Sequence, residues 1–138
     1  MFLPLWHDIL YFSCYNETKK CESIQKEVSP MGCERIENMA GGKGHVLRQQ
    51  FLTEDQMYRK NRVFAKMTIE PGCSLGYHIH HGDAEAYYIL SGEGEYDDNG
   101  SIRTVKAGDV TYTPDGKGHS IENKSTADLV FIALVVYN

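Results

Sequence analysis

Between residues 45 and 137, stretches rich in Val, Ile, Tyr, Phe and Thr are cut, about every eight to twelve residues, by Gly, Pro or Asn-Gly. That spacing suits short antiparallel strands and leaves little room for helices. The segment 62–70 alternates Val63, Ala65, Met67 and Ile69 on one face until Pro71-Gly72 stops it, the period of two that sends every second side chain to one side of a sheet. Further strands are expected over 45–52, 75–80, 84–90 and 108–114. Residues 92–105 read as a hairpin turning at Asn99-Gly100, residue types that accept the two positive φ angles of a type I′ turn. "LVFIALVVY" (129–137) is apolar at every position, the pattern of a strand covered on both faces. About eight such strands predict an all-β sandwich or barrel.

A chain of 138 residues is long enough for one domain with a sizeable core. Its 14 basic and 19 acidic residues give a net charge of -5 with no basic stripe, which argues against nucleic acid or an anionic membrane as partner. No apolar run is long enough to span a bilayer. Cys14, Cys21, Cys33 and Cys73 form no CxxC pair and are expected to be reduced thiols of a cytoplasmic protein. "MFLPLWHDILYFSC" lacks the basic start and small-residue cleavage site of a secretion signal. Residues 1–32 show no clean period and Met31 offers an alternative start, so we expect an N-terminal extension outside the barrel (1–32) followed by one domain (33–138). The glycine-rich loop 39–44, with Arg35 nearby, is placed to cover a barrel mouth.

Histidines gather in "YHIHHGDAE" (77–85). On a strand, His78 and His80 project to one face while Tyr77 and Ile79 project to the other. Two imidazoles sent into a barrel interior are costly unless each nitrogen finds a partner, and a metal ion meets that need. Glu85 follows a Gly82 turn and returns on the next strand as an oxygen ligand. A fourth ligand has to come from a distant segment; His119 lies after a Pro-Gly turn, whereas His45 and His7 stand without neighbouring ligand types. The plain alternative is a set of hydrogen-bonded core polar groups. By parity Tyr87 shares the face of Glu85 and is a candidate pocket residue, its hydroxyl facing either a ligand or the core. His81 reads as a solvated turn residue, His45 as a strand-edge residue, Asp97 and Asp98 as turn residues, and Cys73 as an inert thiol. Glu93 and Glu95 are expected to face solvent, so no second carboxylate stands out as a general base.

Two patterns together resemble the signature motifs of the cupin superfamily, in its small bacterial single-domain form. The first runs Gly72, His78, His80, Glu85, Gly92; the second runs Gly108, Pro114, Gly116, His119, Asn123. The resemblance covers residues 45–137 and implies a jelly-roll β-barrel (a double-stranded β-helix) with a metal held by His78, His80, Glu85 and His119. Three imidazoles and a carboxylate suit one divalent transition metal: manganese, iron, nickel, cobalt, copper or zinc. A six-coordinate ion would keep two positions for a small oxygen-rich acid such as an oxalate-like dicarboxylate or a 2-oxo acid. The superfamily includes dioxygenases, decarboxylases and isomerases as well as binding proteins, so a metal-binding protein and a metal-dependent enzyme both stand as readings, and no catalytic residue is assigned. The resemblance also implies a homodimer, formed through outward apolar positions on 129–137 and at Tyr77 and Tyr88.

Overall fold

In the computed structural model, which describes residues 32–138, the alternating segments become ten strands. These are β1 (Glu34–Glu37), β2 (His45–Gln50), β3 (Asn61–Ile69), β4 (Ser74–Ile79), β5 (Asp83–Ser91), β6 (Glu93–Asp98), β7 (Ser101–Lys106), β8 (Val110–Thr113), β9 (Gly118–Glu122) and β10 (Leu129–Tyr137). His7, Cys14, Cys21 and Met31 lie outside the described residues, as does nearly all of the expected extension.

All pairings are antiparallel, in a six-stranded sheet of order β1-β2-β3-β10-β5-β8 and a four-stranded sheet of order β4-β9-β6-β7. The sheets face each other as a jelly roll. Each is hydrogen-bonded within itself, so the molecule is a sandwich with open edges rather than a continuous cylinder. Among the described residues no helix is long and apolar enough to cross a membrane.

The core follows from alternation. Ala65, Met67 and Ile69 of β3, Tyr87 and Ile89 of β5, and Leu129, Phe131 and Ala133 of β10 are all buried. Register keeps them together: Phe131 stands between Met67 and Ile89, and Ala133 between Ala65 and Tyr87. Opposed residues of a ladder share a face, so one stripe per strand is enough to fill the space between sheets.

The uniformly apolar run 129–137 departs from expectation. Its inner residues are buried, but Val130, Ile132 and Leu134 are only partly covered, and Val136 is 40% exposed. No further layer of the described chain covers that outer face, so covering on both faces is corrected to covering on one. The hairpin is as the sequence indicates: Asn99 and Gly100 have φ of 52° and 95°, the paired positive angles of a type I′ turn.

β1 was not foreseen. Its sequence, Glu-Arg-Ile-Glu, carries no apolar stripe; it is held by its ladder to β2 and by an Arg48–Glu34 ion pair of 2.7 Å. After it, a short 3₁₀ turn (Met39–Gly41) lies against β4. Two glycines permit the approach: a Cβ on Gly42 would stand 2.7 Å from the Gly76 amide nitrogen, and one on Gly76 the same distance from that of Gly42. The turn thereby sets Met39 and Ala40 on the mouth of the sandwich. Arg35 takes no part in that lining and pairs with Glu37 at 2.6 Å.

Candidate metal centre

The two sheets each contribute to one polar cluster. In the four-stranded sheet, His78 of β4 stands directly opposite His119 of β9, which sends both imidazoles to one face. His80 follows the last residue of β4, and its backbone still pairs with Lys117 at 2.9 Å. The chain then reverses at His81-Gly82, with Gly82 at φ 78°, and β5 returns in the opposite sheet carrying Glu85. His81 is exposed in this turn.

One ligand-type atom from each of His78, His80, Glu85 and His119 lies within 4.8 Å of all the others. Nε2 of His119 is 3.1 Å from Nε2 of His78, 3.1 Å from Nε2 of His80 and 2.9 Å from Glu85 Oε2. Glu85 Oε2 is in turn 3.5 Å from His78 Nε2 and 3.3 Å from His80 Nε2. Donors at about 2.0–2.2 Å from a shared ion and at right angles to one another would be roughly 3 Å apart. The observed separations are of that size.

The other ring nitrogens decide what these atoms are. His78 Nδ1 lies 3.0 Å from the Gly76 carbonyl and His80 Nδ1 lies 2.7 Å from Asp83 Oδ1, both pure acceptors. Each Nδ1 therefore carries the proton, and in the neutral imidazole each Nε2 presents a lone pair to the cluster. His119 Nδ1 meets the Tyr96 hydroxyl at 2.8 Å, and that hydroxyl has Thr113 Oγ1 at 2.9 Å to receive its own proton. With His119 donating from Nδ1 to the Tyr96 hydroxyl, three imidazole lone pairs and a carboxylate oxygen converge on one point and repel each other unless positive charge sits among them. The residues present thus fit a divalent cation.

The acidities describe the cluster with protons rather than an ion on it, when an Nε2–H can donate to Glu85. Burial alone would raise the Glu85 carboxyl, but contacts from His119, His78 and His80 outweigh it and hold the group well below the usual carboxylate range. The hydrogen bond with Glu85 raises His80 against the opposing effect of burial, whereas burial dominates at His119 and lowers it. Burial, followed by the Glu85 charge, pushes the Tyr87 phenol well above its ordinary value, so it remains a donor.

The Tyr87 hydroxyl donates to Glu85 Oε2 at 3.1 Å, and its ring stacks 5.0 Å from that of His119. With 1% of its surface exposed, Tyr87 is absent from the cavity lining. His45 is a buried residue, not an edge one: its Nε2 reaches Glu70 at 2.7 Å and its Nδ1 faces the buried Cys73 thiol at 3.9 Å, apart from the cluster. Asp83 and Tyr96 were not singled out from sequence. Asp83 follows His80 by three residues, as the first residue of β5 after the turn, and also accepts from Arg62 Nη2 at 2.8 Å; Tyr96 shares an inward stripe of β6 with the core.

Beside the cluster a cavity of about 530 Å³ opens between the sheets. His78, whose side chain is 28% exposed, and Glu85 form its inner end, while Met39, Val63, Leu75 and Val135 supply apolar wall. Arg48, Gln50 and Arg62 supply polar wall.

Residues 65–137 match the Cupin domain family. The chain is 48% identical over 110 residues to an oxalate-binding protein of Thermotoga maritima, covering 80% of this chain and 88% of that protein. It is 36% identical over 80 residues to an oxalate decarboxylase of Bacillus subtilis, covering 54% of this chain but only 21% of the relative. A crystal structure of a Thermotoga maritima protein named a predicted oxalate decarboxylase aligns with a TM-score of 0.75 at 46% identity, over 83% of this chain and 96% of that one. Paired motifs, sheet order and relatives agree, and the chain belongs to the cupin family.

Proposed function

We propose that the protein holds one divalent transition-metal ion on His78, His80, Glu85 and His119 and binds a small organic acid through its oxygens at that ion. The observation that carries this reading is the convergence of three Nε2 atoms whose Nδ1 partners are already fixed, together with an ionised Glu85. The donor set suits manganese, iron, nickel, cobalt, copper or zinc. When bound, such an ion acts as a Lewis acid toward carboxylate or carbonyl oxygens. The chain's own residues do the rest. Asp83, Gly76 and Tyr96 fix the rings, Tyr87 orients Glu85, and the apolar wall of Val63, Leu75 and Val135 excludes water from one side of the cavity. The oxalate-binding relative supports a small acid as ligand.

Elemental analysis should give about one divalent ion per chain. Calorimetry should show oxalate binding more tightly than acetate to metal-loaded protein and neither binding after metal removal. Oxalate affinity that survives metal removal would defeat the reading. A second reading, a metal-dependent decarboxylase, is favoured by the likeness to the Bacillus subtilis enzyme; release of carbon dioxide from oxalate by metal-loaded protein would select it.

The outer face of β5, β8 and β10 supports a homodimer. Tyr88, Leu90, Val110, Tyr112 and Val136 expose 40–64% of their surface there, in one contiguous apolar field. Fields of this kind mark interaction surfaces, and an isologous pairing would bury both copies at once. The expected extension at 1–32 would lie outside the barrel, and a cytoplasmic location would suit four reduced cysteines.

A further inference from the structure

Oxalate is small for the cavity. Its six non-hydrogen atoms occupy the space of about three or four waters at ~30 Å³ each, against about 530 Å³ available. The surplus is lined by charge. Along β2, Val46, Arg48 and Gln50 share one face, and Val46 is fully buried. Across the β2–β3 ladder, Arg48 stands opposite Met67 and Gln50 opposite Ala65, both core residues. Opposed residues share a face, so Arg48 and Gln50 point between the sheets, where both line the cavity.

An inward guanidinium is costly unless its five N–H donors are met. Glu34 Oε2 takes one, from Nη2 at 2.7 Å. Glu34 stands on edge strand β1 with its side chain 58% exposed, so this ion pair is weak and readily exchanged. Arg62 lines the same cavity but is drawn to the buried carboxylate of Asp83, a firmer partner. Arg48 is thus the freer of the two cations.

We infer that Arg48, with Gln50 beside it, is a second anchor of the ligand site. The ligand is then a 2-oxo or 2-hydroxy acid that carries a second carboxylate on a short apolar chain. The inference rests on the metal reading above and extends it. In the sheet order, β2 is three strands from β5, about 14 Å between backbones at ~4.8 Å per step. A two-carbon acid held at Glu85 and the histidines does not span that distance to β2. A chain of about five carbons, at ~1.5 Å per bond, covers much more of it and meets the long Arg48 side chain leaning in. Val63, Leu75 and Val135 provide the wall for the methylenes between. Glu34, Glu54 and Glu85 against Arg48 and Arg62 leave the lining at net -1, which one divalent ion turns to net +1. The loaded cavity therefore attracts the first carboxylate, which brings the lining to neutral, so the second no longer meets the net repulsion of the empty cavity.

The test is calorimetry on manganese-loaded protein with oxalate, 2-oxopentanoate and 2-oxoglutarate. The last two match in chain length and differ in the terminal carboxylate. A charge-assisted bond to Arg48 makes 2-oxoglutarate the tighter by roughly ten- to hundredfold. In Arg48→Gln that ratio falls to within about threefold, and Arg48→Lys keeps part of it. The readout is a ratio of two affinities, so a loss of folding or of metal, which weakens both ligands, does not mimic the result. Glu34→Gln removes the competing carboxylate and raises the ratio. Equal affinities in the unsubstituted protein, or a ratio that persists in Arg48→Gln, overturn the inference while oxalate binding still supports the metal site. Failure of oxalate itself to bind overturns the metal reading and this inference with it.

Discussion

Asp83 is the best place to ask whether the cluster is built for a metal. Its carboxylate is 8% exposed and joins two partners, accepting from His80 Nδ1 at 2.7 Å through Oδ1 and from Arg62 Nη2 at 2.8 Å through Oδ2. In Asp83→Asn, the amide oxygen can still accept from His80, but the amide nitrogen then faces the Arg62 guanidinium, donor against donor. Turning the amide relieves Arg62 and confronts His80 instead. Either way the imidazole loses a charged acceptor that fixes its tautomer and raises its basicity. Loss of such an outer partner costs about 10–100-fold in metal affinity, or roughly 1.4–2.7 kcal/mol. Competition titration of zinc or manganese against a chelating indicator measures this, with thermal melts in excess chelator to confirm that the metal-free fold is retained. Arg62→Gln is the control, because it removes only the Oδ2 contact and should weaken metal binding by less than about threefold. Unchanged affinity in a folded Asp83→Asn protein would refute the reasoning, and so would an equal loss in Arg62→Gln, which would trace the effect to charge at the mouth.

His119→Ala should abolish stable metal binding while the protein stays folded, measured as metal content and melting temperature, since β9 keeps its ladders to both β4 and β6. Metal retention after dialysis should be high at pH 7.5 and fall as pH drops through and somewhat below about 6.5. The sign follows because protons compete with the ion for the imidazoles, while Glu85, held well below the usual carboxylate range, stays ionised throughout. Gly76→Ala would drive a Cβ against the Ala40 and Gly42 backbone, displacing the turn that carries Met39 and the carbonyl that holds His78; a lower melting temperature and weaker oxalate binding are expected. Sedimentation at micromolar concentration should give a dimer, shifted toward monomer by Tyr88→Glu on the exposed face of β5.

Alternation made the inner half of this molecule legible. The parity that sets His78 and His80 against Tyr77 and Ile79 holds: both tyrosine and isoleucine are about half exposed, whereas His80 is buried. It also places Glu85 and Tyr87 on one face. Parity says nothing about which strands become neighbours, and apart from Asp83, which meets His80 across a local turn, the features missed depend on that. Tyr96 reaches His119 only because β6 pairs with β9, and Arg48 faces inward only because β2 pairs with β3. The polar strand β1 carried no signal because its stability comes from a ladder and an ion pair supplied by β2. The run 129–137 misled for a related reason. Nine apolar residues say that both faces of a strand avoid water, but not whether the second cover comes from the same chain.

The division of labour in the cavity narrows what the protein does with its ligand. Every buried titratable group at the cluster is already committed: Glu85 to three histidines and Tyr87, His80 to Asp83, His119 to Tyr96. The remaining acids of the cavity lining, Glu34 and Glu54, are exposed. A general base or acid works best when burial tunes its pKa toward neutrality and when it touches the reacting atom; among the described residues the lining offers, besides the committed Glu85, carboxylates only at the solvent end and guanidiniums that do not release protons. On the function proposed above, that arrangement would recognise anions and hold them against an ion. It locates any catalytic gain where substitution is simplest, at Glu34 and Glu54 on the rim. Replacing either by histidine should leave metal content at one ion per chain, and carbon dioxide release from oxalate that rises only in such a variant would show that the parent cavity lacks a proton donor rather than a metal.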